Sequence, residues 1–404
     1  MKKFLTFALC MAAVGSMSAQ KAVVDQAQKL AGKSDKISEA RALINQAIAN
    51  PETANEARTY FVAGKVEFDA FDDGFKKLAI NPNDASINKL DMGNQLINGY
   101  NFFLKALPLD SVPNEKGQVK PKFSKDIASR ISGHHADFFS YGGEMYNNKH
   151  YYPEAYNAFM MYGDIPSYSW ASKETKAVPD TTLALAYYYA GIAAYSGNHV
   201  ADAVKALSKA RAKGITDPQS YVYEIACWQN LSNNDSTLQD QAKKEIEKIA
   251  TDGYKAFGIK QPLFINSLAS AMVDDNRYDE ALALVNNQLA QTADEPFLYA
   301  LRAWVYDRQG NEEKALEDYM KGASYENADV ETLNRAARKL YNQGTVVWNS
   351  IEGNQPEKRM EVKTNYWEKA KALLDRALAK DPGNPDSETI LDSVKYALET
   401  YFAN

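Results

Sequence analysis

Apolar residues recur at spacings of three and four along almost the whole chain. The runs SEARALINQAIAN (38–50), HVADAVKALSKARAKG (199–214), YDEALALVNNQLAQ (278–291) and YWEKAKALLDRALAK (366–380) each set Ala, Leu or Val on one face of a helix. Few strand-like alternations compete with them. Pro and Gly fall between these runs, where they punctuate helices. The pattern predicts an all-α chain.

The helices come in pairs. The alanine that opens the second helix of a pair is Ala155, Ala203, Ala281 or Ala315, and the last two stand 34 residues apart. A small residue in each first helix (Gly143, Gly191, Ala269, Ala303, Ala337) is expected to let the partner helix approach. Aromatics such as Tyr187, Tyr306 and Tyr319 fill the remaining space. Within AWVYDRQGNEEKALEDYMKGA (303–323), Gly310-Asn311 reads as the turn between two such helices.

On these residues and this period the chain resembles the tetratricopeptide repeat (TPR) proteins, of an exported bacterial type. The resemblance implies an α-solenoid, a right-handed superhelix of about seven to eight hairpins. Eroded units are expected over 36–71, 85–107 and 217–250, and a terminal capping helix from Pro385. The expected organisation is a leader over 1–20, degenerate hairpins over 21–126, a clearer array with insertions over 127–384, and the cap over 385–404. Four insertions, 108–125, 164–181, 231–237 and 344–363, are read as loops.

Composition adds the compartment. MKKFLTFALCMAAVGSMSAQ carries two lysines, an apolar run and small residues before Gln20, the pattern of a secretory signal peptide. Lipid attachment at Cys10 is the rival, disfavoured by Leu9 where a small residue is wanted. Loss of Lys2 and Lys3 takes the net charge from −6 to −8. The expected location is the periplasm. No later segment has the apolar length of a membrane helix, and no dense Lys/Arg run offers a nucleic-acid footprint. One cysteine, Cys227, follows the leader and is expected to be a small buried apolar residue.

Catalytic constellations are missing from the sequence. Gly32-Lys33-Ser34 has Ala27 where a phosphate-binding loop needs glycine, so Gly32 reads as a helix C-cap. His134, His135, His150 and His199 show no metal-ligand spacing and are expected to be solvated. The chain is therefore expected not to be an enzyme and to need no cofactor.

What remains is a surface. The resemblance places a concave groove along the first helix of each pair. It would be lined by Tyr188, Ile192 and Tyr195; by Asn266 and Ser270; by Phe297, Trp304 and Asp307; and by Asn334, Arg338 and Tyr341. Ser140, Glu144 and Asn147 fall at the same places earlier in the chain. These mix aromatic anchors with polar groups, as peptide-binding grooves do. The lysine and asparagine clamp that TPR domains use for acidic chaperone tails is missing, since its places hold Ser140/Glu144, Tyr188/Ile192, Asn266/Ser270 and Ala300/Trp304. The expected function is a non-catalytic scaffold for a protein or peptide. The alternative is a glycan-binding accessory of an envelope uptake system, with Tyr168, Trp170 and Trp348 presented on insertions.

Overall fold

A computed structural model describes residues 21–402, and the leader-like segment lies outside the described residues. Among the described residues there is no strand, and the chain divides at Ala242/Lys243 into two compact units. Each unit is an all-α run of stacked helical hairpins.

In unit 1 the helices are α1 (21–30), α2 (Ile37–Ala49), α3 (Ala57–Ile80), α4 (Lys89–Asp110), α5 (Ser124–Gly133), α6 (His135–Tyr146), α7 (Tyr152–Asp164), a single turn α8 (Lys173–Lys176), α9 (Asp180–Ser196), α10 (Val200–Ala212) and α11 (Pro218–Asn234). Helix α12 (Gln239–Phe257) contains the division. Unit 2 continues with α13 (Pro262–Asp274), α14 (Tyr278–Leu289), α15 (Pro296–Gln309), α16 (Glu312–Ser324), α17 (Val330–Ser350), α18 (Pro356–Val362), a π turn (Lys363–Trp367), α19 (Glu368–Lys380) and the capping helix α20 (Pro385–Phe402).

Pairing follows the small-against-large logic. In α3/α4 a Cβ on Gly64 would lie 2.4 Å from the Phe103 ring, and one on Gly99 2.4 Å from Phe68. Each helix thus supplies a glycine and a phenylalanine to the same crossing. Gly163 of α7 takes the Tyr187 ring of α9 in the same way, and Gly191 of α9 takes Leu207 of α10. Polar ties join neighbouring helices. Arg41 meets Glu67 at 2.8 and 2.6 Å, Arg211 meets Glu224 at 3.0 and 3.2 Å, and Arg302 meets Asp318 at 2.7 Å twice.

Helix ends are set by local chemistry. Asn88, Asp217, Asn311 and Asp329 accept backbone N–H bonds as N-caps, and Pro218, Pro262, Pro296 and Pro385 open helices. The turn inside three hairpins is the same left-handed one. Asn198 (φ 61°), Asn276 (φ 59°) and Gly310 (φ 84°) hold it. The next residue's N–H reaches back to Ala194, Met272 or Tyr306 at 2.7–2.8 Å. Gly32, at φ 80°, ends α1 as expected.

Two of the expected loops are largely helical. The insertion 344–363 is mostly helical, because α17 runs on to Ser350 and α18 begins at Pro356. Gly344 is part of that extension, where a Cβ would lie 2.7 Å from Trp367 Nε1. Likewise α11 extends to Asn234, through much of the insertion expected at 231–237. The 108–125 insertion does hold a loop, pinned by one carboxylate. Asp110 accepts from the N–H of Lys122, Phe123 and Ser124 at 2.8–2.9 Å and from the Ser124 hydroxyl. Burial opposes its ionisation, yet these donors hold its pKa below the usual carboxylate range.

Candidate functional site

Helix α6 sets the site's register. Gly143 was expected at the packing position, but nothing lies within 4 Å of a Cβ there. At its neighbour Gly142 a Cβ would lie 3.0 Å from the Phe159 ring, and Phe138, Tyr141 and Met145 are buried beside it. Ser140, Glu144 and Asn147 stay exposed on α6, while Phe139, Gly143 and Tyr146 are half-buried, with the Phe139 ring against Tyr189 of α9.

Helix α9 carries that tyrosine. Its sequence, DTTLALAYYYAGIAAYS, is apolar on nearly every side. One side is consumed by packing, with Leu183, Tyr187, Ala190, Gly191 and Ala194 buried. Tyr187 donates to Asp164 at 2.6 Å, and Lys209 donates to the same oxygen at 2.6 Å, fixing α9 against α7 and α10. Burial, seconded by the Asp164 carboxylate, drives the Tyr187 phenol strongly upward in pKa.

The other side stays open. Tyr189 is 39% exposed and Tyr195 40%, with Tyr188 and Ile192 half-buried between them. Phe139 lies 6.0 Å from Tyr189, Tyr189 5.7 Å from Tyr188, and Tyr195 5.4 Å from Tyr223 of α11. Burial, then Asp217 and the neighbouring tyrosines, push the Tyr188 phenol up to about 12, so it stays a neutral donor. Three first helices, α6, α9 and α11, thereby share one aromatic face inside unit 1. The expected Tyr188, Ile192 and Tyr195 are on it. Sequence reasoning missed Phe139, Tyr189 and Tyr223.

In unit 2 the expected groove residues divide. Asn266 and Phe297 border a small polar notch with Asp329 and Arg335, and Ser270 is half-buried one turn further along α13. Trp304 is partly buried and packs against three buried clusters, which hold Ala337, Leu298 and Val305 respectively. Asp307 accepts from Lys339 at 2.5 Å, and the same ammonium is ion-paired with Glu312. Asn334 is buried and accepts from the Ser387 hydroxyl at 2.8 Å, while Arg338 is ion-paired with Asp386. Helix α20 therefore already engages two of these side chains. Tyr341 packs partly buried on the same core.

The aromatics expected on loops are also engaged. Tyr168 and Trp170 stack on each other at 4.8 Å, and the Tyr168 hydroxyl is 3.4 Å from that of Tyr100. Trp348 is not on a loop. It sits on α17 against Trp367, Tyr401 and Phe402, with the Arg359 guanidinium 5.2 Å over its ring. His135 was expected to be solvated and is buried instead, stacked on Tyr162 at 4.2 Å. Its Nε2 lies 2.7 Å from the Tyr162 carbonyl. Cys227 is buried as expected, its thiol pushed up to about 12 by desolvation. Among the described residues no group of three or more His, Cys, Asp or Glu is placed to hold a metal ion. Nor is any helix there long and apolar enough to cross a membrane.

No protein-family model matches the sequence, and comparison with curated proteins gave no match. Solved structures similar to the chain include TPR proteins at low identity. One, a thermophilic TPR protein of Thermus thermophilus, is 17% identical with a TM-score of 0.31, covering 51% of this chain and 98% of its own. Yeast Tom70 is 14% identical with a TM-score of 0.33, covering 95% and 89%. The C-terminal part of a TPR repeat-containing protein from Cytophaga hutchinsonii is 15% identical, also at 0.33, covering 63% and 99%. Superpositions at these scores carry no weight of their own; the hairpins, their shared turn and their small-against-large packing make the case for a TPR-like fold.

Proposed function

We propose that the chain is a non-catalytic scaffold that captures an extended segment of another protein on the aromatic face of unit 1. The observation that carries this reading is the exposure of Tyr189 and Tyr195 on a helix whose opposite side is fully packed. Rigid tyrosines offer a large apolar area with a hydroxyl at the tip, at low cost in side-chain entropy, and they are favoured anchors in interfaces. Together with Phe139 and Tyr223 they form a platform for alternate apolar side chains or prolines.

The double substitution Tyr189→Ala/Tyr195→Ala tests it. Both rings are exposed, so helicity and melting temperature should stay near wild type. Capture of the partner in a crosslinking pull-down should fall by about thirtyfold, the scale of a lost interface anchor. Undiminished capture would move the site off this face. Export belongs to the same proposal, on the strength of the leader-like first twenty residues. N-terminal sequencing of the mature protein from fractionated cells checks it, and an intact Met1 in the cytoplasmic fraction would refute it.

A further inference from the structure

Unit 1 holds a second concavity, separate from the aromatic face. A cavity of about 480 Å³ opens between α2, α3 and α4, within the size range of small-molecule sites. Its floor is the Arg41–Glu67 pair, doubly hydrogen-bonded and with Glu67 buried. That pair locks α2 to α3 and leaves Arg41 Nη1 outside the bidentate fork.

Helix α4 supplies one wall. Asp91, Asn94, Gln95, Asn98 and Phe102 recur on one face at helical spacing, while Met92, Leu96, Tyr100 and Phe103 are buried on another. Asn45 reaches in from α2. Among the described residues none of the four amides, Asn45, Asn94, Gln95 or Asn98, makes a hydrogen bond within the protein, and Gln95 Oε1 is buried without a partner. A buried amide oxygen left unpaired costs stability, so its retention over a cavity points to an external donor.

The donor set narrows the ligand. Arg41 is donor-only, Asp91 and Glu67 are acceptor-only, and each amide does both. A hydroxyl donates to a carboxylate and accepts from an amide at one position. Arg41 cancels Glu67, so Asp91 leaves the site with a net negative charge that repels phosphates and carboxylated ligands. The one aromatic lining group, Phe102, offers a face for an apolar ring surface. We infer that this cavity is a binding site for a neutral glycan, whose hydroxyls are read by the α4 amides and Asp91 beside the Arg41–Glu67 floor.

The probe is a panel of short neutral oligosaccharides (gluco-, manno-, xylo- and galacto-series), titrated calorimetrically into the full chain. An acidic oligogalacturonide and unstructured peptides serve as comparisons. At least one neutral series should bind. Asn94→Ala/Asn98→Ala should weaken that binding by at least about tenfold, equivalent to about 1.4 kcal/mol, while Asp91→Asn also weakens it. Tyr189→Ala should leave it unchanged, which separates this site from the protein-binding face. Circular dichroism and melting should match wild type, since Asn98 and Asp91 are exposed and Asn94 half-buried. No binding across the neutral panel would overturn the inference. So would neutral binding indifferent to Asn94→Ala/Asn98→Ala, or selective loss of peptide or acidic-sugar binding in that variant.

Discussion

His135 shows what a buried titratable side chain does to this fold. Its ring is stacked on Tyr162 and its Nε2–H is committed to the Tyr162 carbonyl, while burial lowers its pKa from the ordinary 6.5. The unfolded chain therefore takes up a proton first as pH falls. Stability is intact above about pH 6.5 and declines as the medium is acidified through that value toward the depressed folded-state pKa. Urea midpoints taken at about pH 7.5 and about pH 5.5 should show this loss, above the range where ordinary carboxylates titrate. His135→Phe keeps the stack and removes the proton site. It should be less stable at the higher pH by about 1–2 kcal/mol, from the orphaned carbonyl, with a flatter dependence between the two pH values. An unchanged slope in the variant would assign the loss to other groups.

At the scale of the hairpin, the left-handed turn is an energetic element of its own. Gly310 has open space around its Cβ position, so a side chain there meets no neighbour and pays only for its positive φ. Gly310→Ala should cost about 1–2 kcal/mol in chemical denaturation, and an effect near zero would mean the α15/α16 turn can relax. Asn198 and Asn276 already tolerate the same conformation. This scale is also where the sequence was most readable. The pairing of helices, the Gly310-Asn311 turn, the Gly32 cap and the roles of Gly191 and Ala203 follow from spacing and residue size. In α6, spacing alone could not choose between two adjacent glycines; the burial of Phe138 and Tyr141 chose Gly142. The stretch 344–350 reads as a loop because Gly344 and β-branched residues depress helix propensity. Packing of Trp348 on Trp367 overrides that preference. The aromatic face was half legible, since Tyr187, Tyr188 and Tyr189 look alike in sequence and point respectively into the core, along its edge and outward. The amide-lined cavity left no sequence signal, because only the packing of α2, α3 and α4 brings its polar side chains to one concavity.

At the scale of the whole array, each hairpin leans on its immediate neighbours, so a strain introduced at one crossing should stay local. Gly163 is the place to introduce it, because a Cβ would meet the Tyr187 ring at 2.4 Å and the ring is held by the hydrogen bond to Asp164. Tyr187 cannot move away without surrendering that bond or shifting α9 from α7. Gly163→Ala should therefore lower the opening free energy of this crossing by about 1–3 kcal/mol. Native-state hydrogen exchange reads where that loss appears. Protection should fall in α6, α7, α9 and α10, the helices that share the crossing or pack on it, while α2, earlier in unit 1, keeps its own. A loss spread evenly over unit 1 would show that its hairpins open as one cooperative body. The aromatic face rides on α6 and α9, so the same variant should also slacken partner capture without touching any exposed tyrosine. The Arg41–Glu67 cavity, anchored on α2 and α3, should keep its sugar affinity.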